Sequence, residues 1–133
     1  MLKTVFVFFA LLIGGMVYIH QSLQNGTILK YIDDHPQSKG IPEATYYIGE
    51  GYYLFQDLPE ATTYFLRVAQ RYPDHALADD AYFSYIQCLD DQVSATRSDL
   101  AEAYKAYLEK YPTGKHAELA KTRIGNYGTG GGH

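Results

Sequence analysis

The stretch "YKAYLEKYP" at residues 104–112 has two relatives in the same chain, "FLRVAQRYP" at 65–73 and the fainter "ILKYIDDHP" at 28–36. In each, apolar or aromatic residues recur three and four apart: Ile28, Tyr31 and Ile32; Phe65, Val68 and Tyr72; Tyr104, Tyr107 and Tyr111. That spacing places them on one face of an α-helix. Each run then meets a proline, at Pro36, Pro73 and Pro112, 37 and 39 residues apart. Proline cannot continue a helix, and it steers the residue before it out of the α region. Each ring–proline pair therefore reads as a helix end that turns the chain toward a following helix. An alanine stands eight residues beyond every stop: Ala44, Ala81 and Ala120. Recurrence with a period of roughly 20–50 residues marks a helical solenoid, so the stops divide the chain into units.

Two helices fit between consecutive stops. Residues 43–56, "EATYYIGEGYYLFQ", form the first helix of one unit, with Pro42 at its start, where a missing N–H costs nothing. "DLP" at 57–59 is the turn, with Asp57 or Leu58 near the cap of the second helix, 60–72. The next unit takes helices at 76–90 and 97–111 around a longer loop in which Ser94 and Ser98 are cap candidates. Residues 116–125 read as a lone closing helix, and 126–133 as a glycine-rich flexible tail. Upstream, a helix over 21–35, kinked at Asn25 and Gly26, makes 21–36 a half repeat. The helical domain thus spans 21–125, with repeats at 42–73 and 76–112.

The unit at 42–73 resembles the tetratricopeptide repeat. Gly49 takes that family's small position in the first helix and Tyr52 its aromatic one; Ala61, Phe65 and the closing Pro73 match the second helix. The second unit departs from the pattern, with Ile86 for the small residue, Leu89 for the aromatic and Leu100 for the alanine, although Tyr111 and Pro112 are intact. Both periods exceed the family's usual length of about 34 residues, which suggests a splayed second unit. The "RYP" and "KYP" endings are most similar to bacterial envelope members of the family, of the Tol–Pal-associated coordinator and outer-membrane assembly lipoprotein types. The resemblance implies an all-α fold, a short solenoid, and adaptor work rather than chemistry.

Residues 1–20, "MLKTVFVFFALLIGGMVYIH", carry one cation, Lys3, and then no charged side chain until Lys30. The apolar run from Leu2 to Ile19 meets the lower range for a membrane-spanning helix, about 17–25 residues. A cleavable signal peptide is the competing reading, but Tyr18, His20 and Gln21 stand where its small residues belong. The expectation is a transmembrane anchor over 1–20 in the inner or plasma membrane. Lys3 and the amino terminus would lie in the cytoplasm and the helical domain outside it, in the periplasm.

The formal charge is −4 with no run of either sign, which excludes the basic face of a nucleic-acid binder. There are fourteen Tyr, six Phe and no Trp, a balance suited to half-buried surfaces and interfaces. Cys88 is the single cysteine, so no intrachain disulfide forms, and without a basic neighbour it reads as a packing residue rather than a nucleophile. The histidines at 20, 35, 75, 116 and 133 show no metal-ligand spacing and read as solvated turn residues. The acid pairs Asp33–Asp34, Asp79–Asp80 and Asp90–Asp91 read as solvated helix-end groups, because neighbours in a helix face different ways. No enzyme, cofactor or metal is expected.

In tetratricopeptide folds the first helices line a concave groove. The resemblance carries that role to Glu43, Tyr46, Glu50 and Tyr53 in one unit and to Asp80, Phe83, Gln87 and Asp90 in the other. Such a groove is aromatic and acidic, suited to apolar anchors with basic neighbours. The expected function is a membrane-anchored protein–protein interaction adaptor. Its partners are other protein subunits of a membrane complex (respiratory, photosynthetic or secretory), in which it is a small accessory or scaffolding subunit. A free peptide-binding or chaperone-like module and a self-assembling homo-oligomer are the alternatives.

Overall fold

The computed structural model describes residues 1–128. Within them the chain forms seven α-helices and no strand: α1 (Leu2–Gln24), α2 (Thr27–Asp34), α3 (Ile41–Leu54), α4 (Leu58–Arg71), α5 (Ala78–Asp90), α6 (Arg97–Lys110) and α7 (Ala117–Gly128). Two compact units divide at the first residue of α3, one covering Met1–Ile41 and the other starting at Pro42.

In the first unit α1 is longer than the sequence suggests. It has 23 residues and runs unbroken past residue 20 to Gln24, because nothing before Asn25 interrupts a helix. The half repeat expected from residue 21 therefore lends its first four residues to α1. The break falls at Asn25 and Gly26: the Asn25 side chain accepts from the Thr27 N–H at 3.0 Å, and Gly26 adopts φ 75°. That left-handed conformation is one that glycine reaches without steric penalty. α1 is long and apolar enough to cross a membrane, and its apolar window is wholly exposed. α2 presents Ile32 inward at 2% exposure.

The second unit has its own core. Tyr64, Phe65, Tyr104 and Tyr107 are fully buried there, beside Val68, Ile86 and Cys88. Each such apolar side chain contributes roughly 1.5–3 kcal/mol on leaving water. α4 packs extensively along α5, and α6 along α7, in each case across a proline turn. The alanines explain the close fit. Ala69, Ala78 and Ala81 are sealed at the first crossing, and Ala117 and Ala120 at the second. So the prolines, read from sequence as dividers, sit inside the closest helix pairs. Ala44, their expected counterpart, is exposed instead. α5 and α6 touch less extensively. Here bulky Ile86 and Leu100 hold positions where small residues would allow nearer approach. Between α3 and α4 the small residue is in place: a Cβ on Gly49 would lie 3.0 Å from the Phe65 ring.

One turn recurs at all three stops. His35, Tyr72 and Tyr111 end their helices at φ −126°, −127° and −128°. In each turn the N–H three residues later donates back to that residue's carbonyl, at 3.0–3.1 Å. The start of α6 corrects the sequence reading. Its cap is Thr96, not Ser94 or Ser98, because Thr96 and Asp99 form a reciprocal capping box. α7 runs to Gly128, past the expected end at 125. Of the tail expected over 126–133, residues 129–133 lie outside the described residues.

Candidate functional site

The chemistry-bearing side chains of the second unit gather along α5, whose first turn carries Asp79 and Asp80 and whose last turn carries Asp90. Acids favour a helix N-terminus, where the backbone N–H groups point outward. Both of these also reach the turn at 111–116. Asp79 accepts from the Tyr107 hydroxyl and, at 2.8 Å, from the Lys115 N–H. The Tyr107 oxygen accepts in turn from the His116 N–H at 3.1 Å. Asp80 takes the Lys115 ammonium at 3.0 Å and His116 Nε2 at 2.7 Å. The His116 ring lies parallel to Phe83, 4.2 Å between centroids. Gly114 closes the cluster, because a Cβ there would meet Asp79 Oδ2 and the Tyr107 oxygen, each at 2.7 Å.

The other end of α5 is held the same way. Asp90 accepts from the Tyr104 hydroxyl at 3.0 Å and the Tyr127 hydroxyl at 2.5 Å, with Arg123 Nη1 at 3.8 Å. A carboxylate at a helix C-terminus opposes the helix dipole, and these donors offset that. The next residue, Asp91, accepts from the Tyr53 hydroxyl at 2.7 Å and so ties the end of α3 to the end of α5.

The pairing sets the protonation states. Burial, then the bond to Asp79, pushes the Tyr107 phenol up. Burial, then Asp90, does the same to Tyr104. The Asp91 hydrogen bond, followed by burial, pushes Tyr53 up to about 12. Burial alone would raise the Asp80 carboxyl, but the hydrogen bonds of His116 and Lys115 outweigh it and hold the group below its usual range. Burial pushes the Cys88 thiol up to about 11. The cluster is a set of phenols donating to aspartate carboxylates. That arrangement fixes helices against each other. Among the described residues, no three of His, Cys, Asp and Glu converge as metal ligands.

The eight residues expected to line a groove are largely taken into this internal bonding. Phe83 is 2% exposed and belongs to the core with Ile86, Tyr104 and Tyr107, so its ring faces inward and not a groove. Asp80 and Asp90 hold α6, α7 and the turn between them, and Tyr53 holds Asp91. Tyr46 is half-buried against Ala61, Phe65 and Cys88. Glu43 is exposed, with His75 Nε2 at 3.4 Å, and Glu50 and Gln87 are half-buried. The sequence reading missed the tertiary role of the aspartates, and it took His116 for a solvated residue. The available signal was acid pairs at both ends of α5, combined with tyrosines at 104, 107 and 127.

No family model matches the chain, and no curated protein matches it.

Proposed function

We propose that this protein is a membrane-anchored adaptor whose helical domain, a short tetratricopeptide-like solenoid, holds other protein subunits of an envelope membrane complex. The observation that carries the reading is α1. It is a 23-residue apolar helix with its apolar window wholly exposed, on a chain whose second unit buries a core of its own. Exposed apolar surface of that length is stable in a bilayer and not in water. With Lys3 and the amino terminus on the cytoplasmic side, the second unit lies in the periplasm. The α5 cluster supports structural work, since its polar groups bond to one another. The test is extraction in mild detergent, size-exclusion chromatography, and mass spectrometry of co-eluting chains. A partner at fixed ratio is expected. Elution of the chain alone, with its Met1 peptide intact, would overturn the subunit reading.

A further inference from the structure

α3 ends in an unusual way. The Gln56 N–H donates to the Tyr53 carbonyl at 3.0 Å and the Asp57 N–H to the Tyr52 carbonyl at 2.9 Å. This is the Schellman arrangement, which needs a left-handed residue, normally glycine. Here that residue is Gln56, at φ 61°, the one non-glycine with positive φ among the described residues. The residue that follows the left-handed one commonly packs an apolar side chain back on the helix. In this chain it is Asp57, which is exposed, and the apolar residues stand outside: Leu54 is 78% exposed and Phe55 84%.

The α5–α6 loop also carries an exposed apolar residue. Val93 is fully exposed, two residues beyond Asp91, and the Tyr53–Asp91 hydrogen bond holds the last turn of α3 to the end of α5, the points from which the two loops leave. Both loops are acidic. From Gly49 to Leu66 the chain has Glu50, Asp57 and Glu60 and no lysine or arginine. Asp57 occupies the N-cap of α4 without using its side chain to cap. Asp91 is exposed at the start of the second loop, and Asp99 and the nearest cation, Arg97, are exposed in the first turn of α6.

We infer that Leu54, Phe55 and Val93, rimmed by Asp57, Glu60 and Asp91, form a docking surface for a partner-protein segment with apolar anchors flanked by lysine or arginine. The inference rests on the adaptor reading and names the surface that serves it. Charge decides between occupants. An anionic lipid surface would be repelled by the rim, and a second copy would bring acid against acid. A basic, apolar segment satisfies both the rim and the centre.

The test uses the full chain in nanodiscs of zwitterionic lipid. The probe is a labelled amphipathic peptide of roughly 16 residues with leucines on one face and flanking arginines, read by fluorescence anisotropy. A control peptide carries glutamate for arginine. Saturable binding of the arginine peptide is expected. It should weaken about tenfold in the Phe55→Ser, Val93→Ser double variant, fall further with Asp57→Lys, and decline as salt rises. These exposed positions leave helical content unchanged by circular dichroism. Equal binding to wild type, double variant and empty nanodiscs overturns the inference, as does equal binding of the glutamate peptide. Self-association lost on Phe55→Ser would reassign the surface to a second copy. Quenching by lipid-borne spin labels of a dye on Val93→Cys would reassign it to the bilayer. Co-purification separates the two proposals. A partner retained by the double variant overturns this surface and keeps the adaptor. No partner for the wild type, with peptide binding still mapped to these loops, keeps the surface and overturns the adaptor.

Discussion

The turns at residues 72–77 and 111–116 follow one backbone path but are anchored by different means. Tyr72 and Tyr111 leave their helices at φ −127° and −128°, and the bonds that shape the two turns match in partner spacing. In the earlier turn the position two beyond the proline is His75, whose ring accepts from the Leu77 N–H at 3.2 Å within the turn and meets Glu43 at 3.4 Å outside it. In the later turn that position is Gly114, and Asp79, Tyr107, Lys115 and His116 lock around it. Proline fixes the path of a turn. The carboxylate beneath it decides how firmly the turn is held.

Gly114→Ala should break the stronger anchor most completely. The added methyl meets two oxygens and the Tyr111 Cβ, so a loss of about 3 kcal/mol is expected from urea denaturation of the helical domain. Removing the carboxylate with Asp79→Ala should cost about 2 kcal/mol, because the Tyr107 hydroxyl and the Lys115 N–H lose their acceptor. If either change costs no more than its counterpart in the earlier turn, the two turns are held alike and the contrast is wrong. That counterpart is His75→Ala, expected to cost under about 1 kcal/mol, because it removes the Leu77 N–H bond to the ring and a partly exposed contact with Glu43.

Base should sharpen the same contrast. In the folded state Tyr104 and Tyr107 are raised by burial and then by their aspartate partners, and Tyr53 by its bond to Asp91 and then by burial, to about 12. Their neutral forms are the ones the fold favours. The stability they contribute is therefore complete below the ordinary phenol value near 10 and lost as pH rises through the folded values. Far-ultraviolet circular dichroism and phenolate absorbance should change together above about pH 10, and Asp79→Ala should move that transition to lower pH. Asp80 acts in the opposite direction. Its lowered carboxyl contributes stability above the ordinary range near 4, lost as pH falls through the folded value.

Much of the fold was legible because helix ends are local. Proline positions, three- and four-residue spacing and the kink at Asn25–Gly26 depend on neighbours in sequence, and helices stand near every expected segment. The α6 cap was legible as well, had Thr96 been read together with Asp99. The site was not legible in the same way. Asp79 meets Tyr107 across 28 residues, and Asp90 meets Tyr127 across 37. Those meetings depend on how α5 is rotated against α6 and α7, which no local pattern encodes. Phe83 shows the cost of that gap: the resemblance gave it a groove position, and packing buries its ring in the core of the second unit.

Cys88 offers a practical consequence. Its thiol lies fully enclosed with Ala61 and Phe65 on α4, and burial pushes it up to about 11, so in the closed domain it is both shielded and protonated. A reagent that modifies thiolates reaches it when α4 and α5 separate. The native chain is thus already a background for attaching dyes at engineered surface cysteines. The slow modification of Cys88 itself is a clock for how often the domain opens.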